Sequence, residues 1–488
     1  MRRRIITPQR RHQNSASSSS KPTRPSNKPV VLASLPPKPK TKDLPKVEPG
    51  LKLDKTVTFS SHCTYSCDDV DIVMSKIFSE IPPKDARIIF IQKCNECSKI
   101  CDFSSDKKDV KAKPIKSSLL RHLIQCFSIP HISRSLTPEA VNAFFQMIAK
   151  NIFRPFPIFK HEGPSDAKDS IQDAAWPHIS LVYECLLTSF SSPSINDFPS
   201  TFLSNIVDNS LSPDERERKE AKKVLQNLYN KFPSTRMTIR QRCSYLFSSS
   251  RCSSDLLEFF YTVVSGFTPP LKSDNIDMFN RIILPLHCLN NYHTFQRSLV
   301  PVIARFIAKS DNLLQNALDY LNKHWPCTDR NKQSMFLKEY EELVITFDNR
   351  MTQPMALQFF RKINECIGNE HTVVACASLE ILQNTKLNHF IKSNASSLYF
   401  MLIMTITNVL KEHWDDDTRD MSAATLDVLN ETEPNAYKKA VEMQKMVKSK
   451  KTAAFGVCKT TWKKVLDAAK TNYVSLSNLQ IEDLNFLR

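Results

Sequence analysis

The chain has 488 residues, a length sufficient for two or three domains or for one long repeat array. Hydrophobic residues make up 41% of it, enough to bury a substantial core. The formal net charge is +17, and nearly all of it is located at the two ends of the chain. Residues 1–50 contain twelve Lys or Arg and two acidic residues, residues 438–464 contain nine Lys and one Glu, and the body between them is nearly neutral. Five widely separated glycines exclude the glycine-rich phosphate loops of nucleotide enzymes, and a neutral body makes nucleic acid an unfavourable partner.

Residues 1–60 are the first segment in chain order. They contain nine prolines by position 50 and a run of four serines at 17–20, with basic residues throughout. Such a composition cannot bury enough apolar surface to fold alone, so it predicts a disordered basic arm. Basic tails of this kind can bind nucleic acid, anionic lipid or acidic proteins, and they can serve nuclear import.

Residues 61–437 are predicted to be helical throughout. Apolar residues recur at the spacing of one helix face in two clear places: Leu313, Leu314, Ala317, Leu318, Leu321 and Trp325, and Val224, Leu225, Leu228, Tyr229 and Phe232. Ser212 is expected to cap a helix that starts near Pro213, ahead of the second stretch, and the pair Trp325-Pro326 predicts a helix end after the first.

Segments of about 12 to 20 residues alternate with short polar links in this region. Some fifteen or more helices with such connections favour an all-α superhelical solenoid of HEAT-like helix pairs, similar to the armadillo type. Residues 438–488 are predicted to form a basic C-terminal helical extension and tail, anchored at Trp462.

No uninterrupted apolar run reaches the roughly 18 to 20 residues that a membrane helix needs. The stretch at 398–410 comes nearest, but it is short and contains Thr405, Thr407 and Asn408. It predicts a buried central helix and no membrane span.

Fourteen cysteines are scattered along the chain, as is typical of buried, reduced thiols in a cytoplasmic or nuclear protein. Six residues invite a zinc interpretation: His62, Cys63, Cys67, Cys94, Cys97 and Cys101. The last three, however, follow an apolar helical stretch at spacings of three and four, which predicts that they share one helix face as packing residues. No metal or cofactor is expected. The sequence contains neither an H-E-x-x-H nor a G-x-S-x-G motif, so no catalytic motif of these kinds favours an enzyme.

Residues 212–240 carry the most informative pattern. They include Ser212-Pro213-Asp214-Glu215-Arg216-Glu217-Arg218, then Leu228-Tyr229-Asn230-Lys231-Phe232, and finally Arg236 and Ile239-Arg240. This segment resembles the centre of the B-prime (B′, 56-kDa) regulatory subunits of protein phosphatase 2A, which reads Asp-Pro-Arg-Glu-Arg-Asp, Ile-Tyr-Gly-Lys-Phe, Arg and Ile-Arg. Further blocks follow in the family's order, among them Ala174-Ala175-Trp176-Pro177-His178, Leu284-Pro285-Leu286-His287 and His413-Trp414, so the resemblance covers roughly residues 70–475.

The resemblance implies a solenoid of about eight HEAT-like helix pairs that does no chemistry itself. Such subunits dock on the scaffold and catalytic subunits of the phosphatase and bring substrates to them. Tethering converts a bimolecular encounter into a local one. The implied partners are therefore those two subunits and substrate or adaptor proteins that carry short Leu-x-x-Ile-x-Glu-like motifs.

The family's substrate groove maps onto seven residues of this chain by resemblance: Tyr229, Arg236, Arg240, Glu258, Phe259, Val263 and Lys272. Phe259 and Val263 replace two isoleucines, a change that enlarges one side chain and shortens the other. From the residues alone, Tyr229 is as compatible with a core position as with a ligand contact, and Arg236 and Arg240 also fit a solvated pair one turn apart.

Three groove positions depart from the family. Gln226 and Asn227 replace a His-Arg pair, and Asn275 replaces a second histidine. The missing arginine should pair with the glutamate of the motif, so its loss is expected to weaken binding by about 1.5 to 3 kcal/mol. A weakened or re-specified groove is therefore the hypothesis. The alternatives are a degenerate paralogue, or a generic HEAT-repeat adaptor, that does not assemble with the phosphatase.

Overall fold

The structure is a computed structural model that describes residues 56–57, 76–82, 85–156 and 171–472. Two short strands, β1 (Thr56–Val57) and β2 (Gln172–Asp173), pair in parallel. The remaining regular structure in these ranges is helical. The predicted arm at 1–60 falls outside the described residues except for β1, and so do residues 473–488 of the predicted tail.

The first half of the solenoid runs from α1 to α9. These helices are α1 (Ala86–Cys97), α2 (Ala112–Phe127), α3 (Pro130–Arg134), α4 (Pro138–Ile152), α5 (Trp176–Ser189), α6 (Ser200–Asn209), α7 (Glu215–Lys231), α8 (Arg236–Ser248) and α9 (Ser254–Ser265).

The second half begins with the short helix α10 (Ser273–Met278), which continues into a π-helical turn at Phe279–Ile283 and a 3-10 turn at Leu284–Cys288. The helices that follow are α11 (Tyr292–Ile307), α12 (Asn312–Lys323), α13 (Arg330–Thr346), α14 (Gln353–Ile367), α15 (Thr372–Gln383), α16 (Asn388–Glu412), α17 (Asp416–Thr432) and α18 (Pro434–Asn472).

The helices pack in two layers. One layer is a continuous series in which each helix contacts the next, in the order α2, α5, α7, α9, α11, α13, α15 and α17. The second layer includes the contacts of α1 with α4, of α6 with α8, and of α12, α14, α16 and α18 in succession. Each helix has an apolar stripe that it cannot bury alone, so stacking on its neighbours creates one shared core. The predicted all-α solenoid is confirmed, whereas the number of about eight pairs stays a prediction.

Most residues of the two predicted helix faces are buried, but Tyr229, Phe232 and Trp325 are only partly buried, and Phe232 and Trp325 lie just beyond the ends of their helices. All five apolar residues of α12 from Leu313 to Leu321 are inaccessible, and α12 ends at Lys323, before the pair Trp325-Pro326. The stretch at 398–410 lies within α16 and contributes Leu398, Leu402 and Ile406 to the core, as predicted. Within the described ranges, no helix is both long enough and apolar enough to cross a bilayer.

Helix α18 is one continuous helix of 39 residues, so the domain boundary predicted at 437/438 falls inside it. Its first turns pack on α16 and α17, with Ala440 and Gln444 buried. From residue 445 onwards nearly every residue is exposed. Tertiary packing therefore continues to about residue 444, and the helix itself runs on to Asn472.

A charged pair lies inside the second half of the solenoid. The imidazole of His287 is completely buried, with Nδ1 2.7 Å from the Leu284 carbonyl oxygen and Nε2 3.0 Å from Oε1 of Glu339. The hydroxyl of Tyr292 donates to the same carboxylate at 2.8 Å. Both imidazole nitrogens face acceptors, so the ring binds best as a doubly protonated cation. Burial by itself lowers the pKa of His287, but Glu339 and the Leu284 carbonyl outweigh it and raise the pKa above its usual value.

The pair predicts a pH dependence of stability. Because the folded-state pKa of His287 is raised, its contribution is fully present below the unfolded value of about 6.5 and is lost as the pH rises through the folded value. We expect the free energy of unfolding to fall more steeply above pH 6.5 in the wild type than in a Glu339→Gln variant. Denaturant titrations from pH 6 to 9 measure both slopes, and parallel curves would contradict the assignment.

Candidate functional site

Helix α7 carries the centre of the candidate groove, and a buried ion network fixes its first turn. Arg154 Nη1 lies 2.8 Å from Oε1 of Glu217, and Arg154 Nη2 lies 2.7 Å from Oδ2 of Asp173. Both carboxylates are fully buried. Because each carboxylate would be costly to bury alone, the shared guanidinium ties α7 to the end of α4 and to β2.

Two residues just before α7 complete this anchor. The hydroxyl of Ser212 donates to Oε2 of Glu217 at 2.6 Å, and Asp214 accepts the backbone N–H of Arg216 at 2.9 Å. Asp214 is therefore the helix cap, and the prediction that Ser212 caps α7 was wrong. Ser212 instead donates a hydrogen bond to the buried carboxylate of Glu217. A carboxylate oxygen that is shielded from water needs such donors from the protein.

Tyr229, near the end of α7, has a ring that contacts two of the predicted groove residues, Phe259 and Arg236. The ring lies half-buried and meets the ring of Phe259 edge-on, with centroids 5.8 Å apart. The guanidinium carbon of Arg236 lies 5.3 Å from the Tyr229 centroid, and Arg236 Nε donates to the Tyr229 carbonyl at 2.8 Å. Burial raises the pKa of Tyr229, while the charges of Arg240 and Arg236 oppose that rise.

Arg236 therefore has two roles in this geometry. The carbonyl of Tyr229 is one of the last four in α7, which lack intrahelical partners, so the bond from Arg236 caps the C-terminus of that helix. At the same time its guanidinium lies against an aromatic face that is partly open to solvent. A half-buried ring beside the guanidinium group of Arg236, and within the electrostatic influence of Arg240, is suited to bind a carboxylate or phosphate next to an apolar side chain.

Helix α9 lies behind this ring. Both Phe259 and Val263 are completely buried there. Their substitution for isoleucines therefore acts in the unliganded protein through the shape of the core beneath Tyr229, since neither side chain reaches the surface. Whether they contact a peptide stays a prediction.

Glu258 faces solvent on α9 and is joined to a charged residue that the sequence did not single out. Lys222 Nζ lies 2.5 Å from Oε2 of Glu258 and 2.8 Å from Oδ1 of Asp255. Lys222, Gln226 and Tyr229 follow the i, i+4, i+7 spacing of one helix face, and this spacing is the signal that could have identified Lys222. Ser298 of α11 also donates to Glu258, at 3.4 Å.

The divergent positions lie on two elements. Gln226 and Asn227 are half-buried on α7, where Asn227 Nδ2 donates to the Lys223 carbonyl of its own helix at 3.0 Å. Asn275 lies in the first turn of the short helix α10, and the matched residue Lys272 directly precedes that helix. Among the described residues, no side-chain hydrogen bond or ion pair joins this second group to Tyr229.

The cysteines of the zinc interpretation behave as packing residues. Cys94, Cys97 and Cys101 are buried, and burial raises the pKa of Cys97 to about 12, which disfavours the thiolate that zinc requires. α1 ends at Cys97, so Cys101 is not on that helix, and the prediction of one shared helix face was wrong for it. His62, Cys63 and Cys67 lie outside the described residues. Within the described ranges, no group of three or more potential ligands is placed to hold a metal ion.

Comparisons with known proteins give a consistent result. A sequence model described as "Protein phosphatase 2A regulatory B subunit (B56 family)" matches residues 75–469. The B' kappa isoform of the 57 kDa regulatory subunit of protein phosphatase 2A from Oryza sativa is 28% identical over 417 residues, covering 80% of each chain. The beta isoform of the 56 kDa regulatory subunit from Mus musculus is 26% identical over 374 residues, covering 73% of this chain and 74% of its own.

One solved structure is also similar. A crystal structure of an engineered protein matches 76% of this chain and 91% of its own, with 12% identity and a TM-score of 0.30. That similarity is too low to support an argument about fold or function.

Proposed function

The chain belongs to the B56 family of protein phosphatase 2A regulatory B subunits, and from this premise we propose that it docks on the scaffold and catalytic subunits of the phosphatase and recruits substrates to them. It is a regulatory subunit and not a catalytic enzyme. The observation that carries the proposal is the match over residues 75–469, which extends through nearly the whole helical body. A cytoplasmic or nuclear location belongs to the same proposal.

Co-purification from a native lysate tests the docking step. The tagged full-length chain is expected to bring down both the scaffold and the catalytic subunit of the phosphatase. An Arg236→Glu variant serves as the matched control, because it alters the groove and should leave assembly unchanged. Absence of both subunits from the wild-type eluate would favour the degenerate paralogue or the generic HEAT-repeat adaptor instead.

The proposed recruiting surface is the groove beside Tyr229. Arg236 and Arg240 supply cationic groups, and the Tyr229 ring supplies an apolar face backed by Phe259. This combination supports recognition of a short peptide with an aliphatic anchor next to acidic or phosphorylated residues. Asn227, bonded to its own helix, offers an amide where the family places a guanidinium. The groove is thus proposed to bind a Leu-x-x-Ile-x-Glu peptide weakly, or to prefer a related sequence.

Restoring the arginine tests the weakened groove directly. Asn227→Arg is expected to raise affinity for a phosphorylated Leu-x-x-Ile-x-Glu peptide by roughly tenfold to a hundredfold, since a charged hydrogen bond to a carboxylate contributes about 1.5 to 3 kcal/mol. Fluorescence anisotropy measures the change. Ser396→Arg, which adds the same charge on an exposed face of α16, should leave affinity unchanged. If the wild type binds this peptide with micromolar or tighter affinity, and Arg236→Glu abolishes that binding, then the hypothesis that the missing arginine weakens the groove is wrong.

A further inference from the structure

The distal part of α18 is a second surface, separate from the groove. Residues 445–469 are exposed along almost their whole length. Large apolar side chains nevertheless lie on it, including Met446, Phe455, Val457 and Val465, and Val457 is 67% exposed. A β-carbon added at Gly456 would meet nothing within 4 Å, so the surroundings of the helix are open there. Exposed apolar residues concentrated on one element indicate an interaction surface.

The same segment is strongly basic. Between residues 445 and 466 the chain has seven Lys and no Asp or Glu. At 100° per residue, Lys445 and Lys463 point nearly opposite to Val447 and Val465. Five of the seven lysines lie on the half of the helix opposite these valines, which makes that half mainly basic, whereas Lys450 and Lys451 lie on the mainly apolar half. Its ligand must therefore carry negative charge and also accept apolar side chains.

We propose that residues 445–469 bind the surface of an anionic phospholipid bilayer, with the helix lying in the plane of the interface. Phe455, Val457 and Val465 would enter the boundary between headgroups and acyl chains. The lysines would contact lipid phosphates and carboxylates, with those nearer the apolar side extending their stems past it.

Three features favour a bilayer over other anionic partners. A free phosphate ion offers nothing to the apolar side of the helix. A groove in an acidic protein would have to enclose the exposed segment from several sides. That segment is continuous with the part of α18 that packs on α16 and α17, so a partner that contacts it from one side fits this attachment better. About 25 residues of helix extend roughly 37 Å, and a planar surface can contact all of that length from one side. The inference does not depend on association with the phosphatase, because it concerns the chain alone.

Co-sedimentation of the full-length chain with vesicles tests the proposal. The protein is expected to bind vesicles of phosphatidylcholine with about one-third phosphatidylserine, and to bind pure phosphatidylcholine vesicles at least tenfold more weakly. Each cationic side chain near an anionic surface strengthens binding by roughly fivefold, so Lys445→Glu/Lys448→Glu/Lys451→Glu should weaken it by about a hundredfold or more. Lys338→Glu/Lys386→Glu/Lys411→Glu makes the same change of charge at exposed sites elsewhere and should weaken binding much less. Lys338 lies on α13, Lys386 between α15 and α16, and Lys411 on α16.

A second variant separates a lipid surface from other polyanions. Phe455→Ser/Val457→Ser removes apolar area without changing charge and should weaken vesicle binding by at least tenfold. Both side chains are exposed, so the thermal unfolding midpoint should not move, which excludes a folding defect. Unchanged vesicle binding by this variant would show a purely electrostatic site of the kind that also binds duplex DNA, and would overturn the proposal. Equal effects of the two triple-lysine variants would overturn it as well.

Discussion

Replacing Arg154 with methionine is expected to lower the free energy of unfolding by about 3 to 5 kcal/mol. Its guanidinium is bonded to the carboxylates of Asp173 and Glu217, both fully buried. Without it, two negative charges would remain together away from water, and one of them would have to bind a proton or reach solvent. Chemical denaturation followed by circular dichroism measures the loss.

Arg216→Met is the matched control for this prediction. Arg216 also pairs with a buried carboxylate, that of Asp214 at 2.7 Å, but its own side chain is 36% exposed. Asp214 additionally accepts backbone N–H groups from Asp173 and Arg216, which remain after the substitution. The expected loss is only about 1 kcal/mol. Equal losses in the two variants would mean that burial of the carboxylate pair beside Arg154 does not determine the stability of this region.

The second large effect is expected in the groove. In an Asn227→Arg background, Arg236→Glu should reduce affinity for the phosphorylated motif peptide by more than about a hundredfold, because it replaces a cation beside Tyr229 with an anion. Isothermal titration calorimetry measures the change. Arg236→Gln should give an intermediate loss, since it retains a side-chain donor for the Tyr229 carbonyl but removes the charge.

Two controls separate charge from folding in that experiment. Arg361→Glu makes the same charge reversal at an exposed position on α14 and should leave peptide affinity unchanged. Circular dichroism shows whether loss of the cap on α7 has unfolded the helix. A similar loss of affinity in the Arg361 and Arg236 variants would indicate long-range electrostatics, and would remove the basis for a site at Tyr229.

The residues of the candidate site could be named from the sequence, but their environments could not. Resemblance identified Tyr229 and Arg236, and left open whether Tyr229 is core or surface. The structure gives it a half-buried ring in an edge-on contact with Phe259 and a guanidinium nearby. Lys222 was missed because its significance depends on Asp255 and Glu258, which are more than thirty residues away in the chain.

Local chemistry determined much of the fold. Apolar residues at helical spacing predict α12 and the buried part of α16, because a helix face follows from positions a few residues apart. The same local rules chose Ser212 as a cap and placed Cys101 on α1, and both predictions were wrong. In each case the outcome depends on contacts that short-range spacing does not contain. Ser212 donates a hydrogen bond to the buried carboxylate of Glu217, which also pairs with Arg154.

The sequence by itself determined the helical class, the basic ends and membership in a family of regulatory subunits, because periodicity, charge and ordered motifs are properties of the linear chain. Only the tertiary structure decided which groups meet across distant segments. The pairing of Arg154 with Glu217, the placement of Arg236 at the end of α7 and the exposure of α18 beyond residue 444 all depend on how helices stack. Stacking sets burial, and burial determines whether a charge stabilises the fold or remains available to a partner.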